Sequence, residues 1–395
     1  MDVVVWLMGS DAFRPWCHGR VALSALLLGG LLVACSPDDG KDNPHATGGT
    51  GVDSTGGADG TGGTGSSGGG TGGSGAVVDD PNFTLGQPET LATGQTAPIR
   101  LVLMGDNVYF ANRGLEDEAT GAIMSVPKGG GSVSAVASGL PLVTGLTSNG
   151  TDTLFYSTFG VANANPREGS LVIQTLGAAP QVTSPIRSPY ELSCVDNALY
   201  FFSSSSLMRA PFGSASSTLV SDLKGPRRRW HEGGHIYITE GGTGDPTAGR
   251  LRVWSESQPD APALNDTLAR PEGVVVANGR LYVTCAGDGS VVSIDPTTGD
   301  KQTVASGYVA PWGITADSAN VYFADRSVLE GDCAAGENKG ALVRVPLDGG
   351  QAQTIASGLP CPSTLAVDAT GIYWVDNGSA PAASDGSVMK IPKIR

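Results

Sequence analysis

The chain is expected to fold as an all-β, seven-bladed β-propeller, and three observations carry that expectation. Glycine is abundant, with 58 residues in 395, and only 16% of the chain is charged, which favours strands and turns over amphipathic helices. An aromatic residue recurs at Tyr109, Phe155, Tyr200, Tyr237, Tyr282, Tyr322 and Tyr373, at a mean spacing of 44 residues. Around each aromatic lies the same order of strand, tight turn, strand, loop, strand, turn and strand. Four short strands per 40 to 50 residues is the period of a propeller blade.

The first 35 residues read as an export signal. Arg14 and Arg20 precede an apolar run from Val21 to Ala34 that is too short to cross a bilayer as a helix. Asp2 and Asp11 fit a signal poorly, so the functional start is expected downstream of them. The run ends in Leu32-Val33-Ala34-Cys35, which resembles the lipobox of bacterial lipoproteins. The resemblance implies cleavage before Cys35, acylation of its thiol, and, because Ser36 follows, sorting to the outer membrane.

Residues 36–82 form the next segment. From Ser36 to Gly75 there are 16 glycines in 40 residues and no Phe, Trp, Tyr, Leu, Ile or Met. Such a stretch cannot bury enough apolar surface to offset its conformational entropy, so a flexible tether is expected, with roughly 35 Å of average reach for about 40 residues. The propeller is expected over residues 83–395.

Seven pairs of first and second strands imply seven blades, yet the last runs out before a fourth strand. Pro88-Glu89-Thr90-Leu91-Ala92-Thr93-Gly94 reads like Gln353-Thr354-Ile355-Ala356-Ser357-Gly358 and precedes Ala97-Pro98 as fourth strands elsewhere precede the next blade. Residues 88–94 are therefore expected to complete blade 7 and close the ring, which removes an exposed edge. Tyr373-Trp374-Val375-Asp376 and Tyr322-Phe323-Ala324-Asp325 resemble the YWTD and NHL classes of propeller repeat. With the lipobox, the chain resembles a bacterial surface lipoprotein of that broad group. Seven blades rather than six, and weak motifs at Phe155, Tyr200 and Tyr282, carry no receptor-type ligand over to this chain.

His231-Glu232-Gly233-Gly234-His235 fits the zinc pattern HExxH, which needs a helix to bring both imidazoles to one ion. Here it falls on strand, turn and strand, and no metal is expected. The same blade breaks the repeat. Eight residues before the aromatic, where other blades place Leu101, Leu192, Val274, Ile314 or Leu365, blade 4 places Arg229, and His231 follows where others have Leu103, Val276 or Val367. Two readings are open: Arg229 enters the inner strand and makes Arg227-Arg228-Arg229 an anion site with Glu191 and Glu272 as partners, or a turn one residue shorter puts Trp230 in the core. The shorter turn is the expected one.

Residues just after the proline of each first strand should ring the channel mouth, and Arg100, Tyr190, Glu191, Arg228, Arg229, His231, Glu272 and Trp312 are the ligand-binding candidates there. The longest loops between second and third strands fall in blades 1, 2, 6 and 7 and carry Glu116, Asp117, Glu118, Glu168, Asp325, Glu330, Asp332, Glu337, Asp376 and Asp385. They present a docking surface for a cationic partner, a weak calcium site, or solvated charge. Cys333 and Cys361 lie on one face of adjacent blades and are expected to form a disulfide; Cys194 and Cys285 are expected to remain free. A net charge of −14 excludes a nucleic-acid partner on electrostatic grounds. The functional expectation is a lipid-anchored binding or scaffolding module for a protein or small polar ligand. The alternatives are a lyase or hydrolase acting on sugar or lactone substrates at the mouth, and a purely structural part of an envelope complex.

Overall fold

Alternating apolar residues on each first and second strand leave two buried faces per sheet, and only neighbouring sheets can cover both. The computed structural model describes residues 83–395 apart from 117, 161–167, 243–246, 261, 327, 330–332, 334–337, 348, 381 and 395. The signal, the lipobox with Cys35, the tether, Asp117, Glu330, Asp332 and Glu337 lie outside the described residues. Seven antiparallel sheets follow one another in chain order. Blades 1 to 6 start with inner strands Pro98–Met104, Val143–Ser148, Pro189–Val195, Pro226–Glu232, Pro271–Ala277 and Pro311–Ala316. Blade 7 starts with Pro362–Asp368.

The ring closes as the repeat predicts. Glu89–Gln95 pairs with the last strand, Gly386–Ile394, as the fourth strand of blade 7. A short strand that the repeat did not foretell, Thr84–Leu85, pairs further along the same edge with Ile394 and Lys393.

The core is a series of seams, each shared by two blades. Leu101, Leu103 and Phe110 of blade 1 pack with Tyr373, Val375 and Val388 of blade 7 and with Leu91 and Ala92 of the closing strand. Trp374 and Tyr322 are fully buried in the seam between blades 6 and 7. Inner strands approach closely: a Cβ on Gly313 would meet the Ser363 carbonyl oxygen at 1.9 Å.

Carboxylates at the ends of the second strands of blades 6 and 7 lock these blades to their own entries. Asp325 Oδ1 accepts the amide of Ala310 at 2.7 Å and Oδ2 that of Val309 at 3.2 Å. Asp376 accepts the Cys361 amide at 3.3 Å and Trp374 Nε1 at 3.1 Å. Both side chains are buried, which corrects their place among the solvated acidic loop residues. They are fold anchors, because an amide donor left unpaired there would cost about 1–3 kcal/mol.

Burial pushes the Asp376 carboxyl up to about 6, against the hydrogen bonds from Trp374, Cys361 and Ser387. A carboxyl whose folded pKa lies above its ordinary 3.8 stabilises the fold fully below that value, and the contribution declines as pH rises through about 6. The expected loss between pH 4 and 7 is about 3 kcal/mol. Urea titrations across that window should show the slope in the parent and its disappearance in Asp376→Asn; equal slopes would place the titration elsewhere.

The expected disulfide is present: Cys333 and Cys361 are bonded, with Cα atoms 5.9 Å apart and a sequence separation of 28. It ties the long loop of blade 6 to the entry of blade 7. Cys194 and Cys285 are free. Loop closure of this length gives about 3 kcal/mol, so Cys333→Ser should melt several degrees lower. Alkylation of the unfolded, unreduced chain should label Cys194 and Cys285 and spare Cys333 and Cys361.

Candidate functional site

Nine residues before each second-strand aromatic, the inner strands present Arg100, Glu191, Arg228, Gly273, Gly313 and Thr364. Blade 2, whose first turn is one residue longer, presents Gly145 at this level. Glycine and threonine on four sides leave room for long charged side chains from the other three. Arg100 Nη2 donates to Glu191 Oε2 at 3.0 Å, from blade 1 to blade 3. Arg228 Nη1 of blade 4 donates to both oxygens of the same carboxylate. Gly145 is needed between them: a Cβ there would meet Leu192 Cδ1 at 2.5 Å and lie 3.3 Å from the Glu191 amide nitrogen.

Glu191 is held at a cost. It sits at a bulge with φ of 55°, the left-handed region, worth about 1–3 kcal/mol of strain for a residue with a side chain. Burial alone would raise its pKa; Arg100 and Arg228 outweigh it and hold the carboxyl at about 2. Burial, reinforced by Arg228, brings Arg100 down to about 10.

Arg229 does enter the inner strand, which corrects the expected register shift. It pairs with Ile238 as Leu101 pairs with Phe110 and Val274 with Val283. The reason is the turn: Glu232 faces His235 across Gly233-Gly234, the same two-residue length as Met104 to Asn107. Trp230 therefore points into the opposite seam, half-buried against Tyr237 and Val274. Arg229 fills the seam with blade 3: Nε donates to Ser193 Oγ at 3.1 Å, Nη2 to the Tyr200 carbonyl, and its Cζ lies 5.1 Å from the centre of the Phe202 ring.

His231 lies deeper in this seam, away from the mouth. Its Nε2 is 3.0 Å from Ser193 Oγ and its ring meets Tyr200 edge-on at 4.6 Å. Arg229 Nε can only donate, so Ser193 accepts that proton and gives its own to His231 Nε2. The imidazole is thus neutral, and burial with Arg229 nearby brings its pKa to about 3. His235 is exposed and turned to the Gly233 carbonyl at 3.1 Å. The two imidazoles of the HExxH pattern do not converge, and among the described residues no group of three or more His, Cys, Asp or Glu is placed to hold a metal ion.

The rim candidates serve the scaffold as well as the mouth. Glu272, buried, accepts from Arg270 Nε at 3.1 Å, and Arg227 Nε lies 3.7 Å away. Burial still keeps its carboxyl above the usual range despite both arginines. Tyr190 donates to the Ser204 carbonyl at 3.0 Å, and Trp312 carries Arg326, whose Cζ lies 5.0 Å from its ring centre. Arg227, with a side chain 37% exposed, is the rim's accessible cation. Below the ion bridge the channel holds a cavity of about 40 Å³, bounded by Glu191, Arg228, Arg229, Gly273, Gly313 and Thr364.

A feature absent from the sequence expectations is a cleft of about 630 Å³ on the opposite end of the ring, where the turns of blades 3 and 4 meet. Asp196, Arg209, Glu232, His235 and Glu256 line it. The run of polar residues around the Gly233-Gly234 turn was its signal in the sequence.

No family model matches the chain, and no curated protein does. Among solved structures, the chain is similar to a streptogramin B lyase, with 14% identity, a TM-score of 0.51, and coverage of 79% of this chain and 98% of that one. It is similar to the WD40 propeller domain of Doa1, with 13% identity, a TM-score of 0.51, and coverage of 77% and 97%. A chain of a nidogen/laminin complex matches at 16% identity with a TM-score of 0.47, over 65% of this chain and 94% of that one. At these identities the first two likenesses establish the propeller fold and nothing finer.

Proposed function

We propose that this chain is a lipid-anchored binding module of the bacterial envelope, tethered through Cys35 and residues 36–82 to the outer membrane, whose channel mouth takes a small polar ligand or the end of a peptide. The observation that carries this reading is the ion bridge Arg100–Glu191–Arg228, which joins the inner strands of blades 1, 3 and 4 at the channel and borders a pocket of about 40 Å³. A group from solution can rest against this bridge at the mouth. Arg227 at the rim and the guanidinium edges of Arg100 and Arg228 favour a carboxylate-bearing end over a basic one.

The alternative, a lyase or hydrolase acting on a sugar or lactone, needs a group that exchanges protons near neutral pH within reach of the substrate. Glu191 stays ionised between its arginines, and His231 is neutral, hydrogen-bonded and buried in the seam. Neither supports that reading.

Calorimetry of the mature chain against peptides ending in a free carboxylate, an amide or a lysine tests the proposal. Saturable binding of the carboxylate series is expected, weakened about tenfold by Arg227→Ala, with no turnover of lactone or sugar substrates. Turnover that disappears in Glu191→Gln would establish the enzyme instead. Labelling with radioactive fatty acid, abolished by Cys35→Ala, tests the anchor.

A further inference from the structure

The cleft between blades 3 and 4 is far larger than the channel cavity, and nothing proposed for the mouth uses it. It opens at the seam where blade 4 departs from the repeat. Arg229 stands there in place of Leu101, Val274 and Leu365 of blades 1, 5 and 7, and the inner strands of blades 3 and 4 approach each other less than the other neighbouring pairs. The recurring aromatic registers the difference. Tyr109, Phe155, Tyr237, Tyr282, Tyr322 and Tyr373 are all buried, whereas Tyr200 is half-buried and forms part of the cleft wall. At about 630 Å³ the cleft falls within the range of about 300–1,000 Å³ typical of small-molecule sites.

The polar groups on its walls are accessible and largely unspent. Asp196 and Glu256 are exposed, and their carboxylates make no hydrogen bond or ion pair among the described residues. Glu232 commits one oxygen to Trp230 Nε1 at 3.3 Å and keeps the other. Arg209 donates through Nε to the Tyr200 hydroxyl at 3.1 Å; its two Nη groups have no acceptor among the described residues and are not shut off from water. The Tyr200 oxygen accepts in that bond, so its own proton remains to be given. His235 turns Nδ1 to the Gly233 carbonyl at 3.1 Å, an atom that can only accept, and in the neutral ring this leaves Nε2 as an acceptor.

That mixture selects the ligand. Three carboxylates against one guanidinium repel an anion. An apolar ligand would strip water from these groups and return no hydrogen bond. A metal ion needs its ligands at one point, but the carboxylates stand on three separate turns, and among the described residues no group of three or more His, Cys, Asp or Glu is placed to hold one. A basic side chain would satisfy the carboxylates and leave Arg209 and the Tyr200 proton without an acceptor. Donors and acceptors spread around one cleft fit a ligand that offers both every few ångströms. We infer that the cleft binds a short neutral oligosaccharide, whose hydroxyls donate to Asp196, Glu232 and Glu256 and accept from Arg209 and Tyr200. The inference is independent of what binds at the mouth, at the other end of the ring.

Two tryptophans report the two ends separately: Trp254 borders the cleft, and Trp312 stands at the mouth beside Arg326. Proton–nitrogen correlation spectra of the mature chain, titrated with neutral trisaccharides of glucose, galactose, mannose or N-acetylglucosamine, test the inference. At least one of these sugars should move the Trp254 indole resonance saturably and leave Trp312 in place. Glu256→Ala removes an exposed carboxylate and Tyr200→Phe keeps the ring, so both should fold; each should weaken binding about tenfold, the worth of one hydrogen bond, while Arg227→Ala at the mouth leaves it unchanged. No movement of Trp254 with any of these sugars, movement of Trp312 instead, or a Trp254 response confined to a lysine-rich peptide or a sialylated trisaccharide overturns the inference. So does an affinity unchanged in both cleft variants.

Discussion

Removing residues 83–95 should leave a chain with no cooperative melting transition. The segment supplies the fourth strand of blade 7, and its Leu91 and Ala92 are buried with Leu103, Phe110, Tyr373 and Val375. Its first residue, Phe83, lies 4.6 Å from Lys393 Nζ. That ammonium is 2.7 Å from Asp317 of blade 6, with both side chains almost wholly withdrawn from water. Asp317 also accepts the Tyr322 hydroxyl at 2.7 Å. The deletion thus uncovers a buried ion pair, opens the seam between blades 1 and 7, and exposes Gly386–Ile394 as a bare edge. Lost apolar burial at about 25 cal/mol per Å², together with a weakened buried pair, amounts to roughly 10 kcal/mol, comparable with the whole stability of a domain. The exposed edge adds association to unfolding. Calorimetry and size-exclusion chromatography should show aggregates; a monomer melting at the parent temperature would mean that the ring does not depend on this closure.

The closing strand was legible because it repeats the sequence pattern of a fourth strand, and a propeller has one place for such a strand. The disulfide was legible because topology puts Cys333 and Cys361 on one face of adjacent blades. Arg229 was misread although the signal was present: Glu232 to His235 and Met104 to Asn107 have turns of equal length, and equal turns keep register. Asp325 and Asp376 were misread for a different reason. A carboxylate at a strand end looks the same in sequence whether it faces water or turns beneath a backbone amide at the entry of the neighbouring strand. The Arg100–Glu191 pair spans 91 residues and skips a blade. No local pattern encodes it, because it depends on Gly145 contributing no side chain to the wall between them.

That pair, shared with Arg228, underlies the second large effect. Glu191→Gln should destabilise the propeller by about 3–5 kcal/mol at pH 7, because it removes the counter-charge of three guanidiniums and leaves them in place. The strained backbone offers a control. With φ at 55°, Glu191→Gly relieves about 1 kcal/mol of strain while removing the same charge, so Gly should be the less damaging substitution if charge and strain act separately. The pH dependence separates charge from packing. The Glu191 carboxyl, held at about 2 against an ordinary 4.5, contributes stability that is present above pH 4.5 and lost as pH falls towards 2. That contribution, about 3 kcal/mol, is missing from Glu191→Gln at every pH, so the gap between parent and variant should narrow steadily below pH 4.5. Urea denaturation at pH 7 and pH 2 measures both ends of the window. A gap of the same size at both would mean that shape at the bulge, rather than charge, is what Glu191 provides, and no gap at pH 7 would mean that the arginines find their compensation elsewhere.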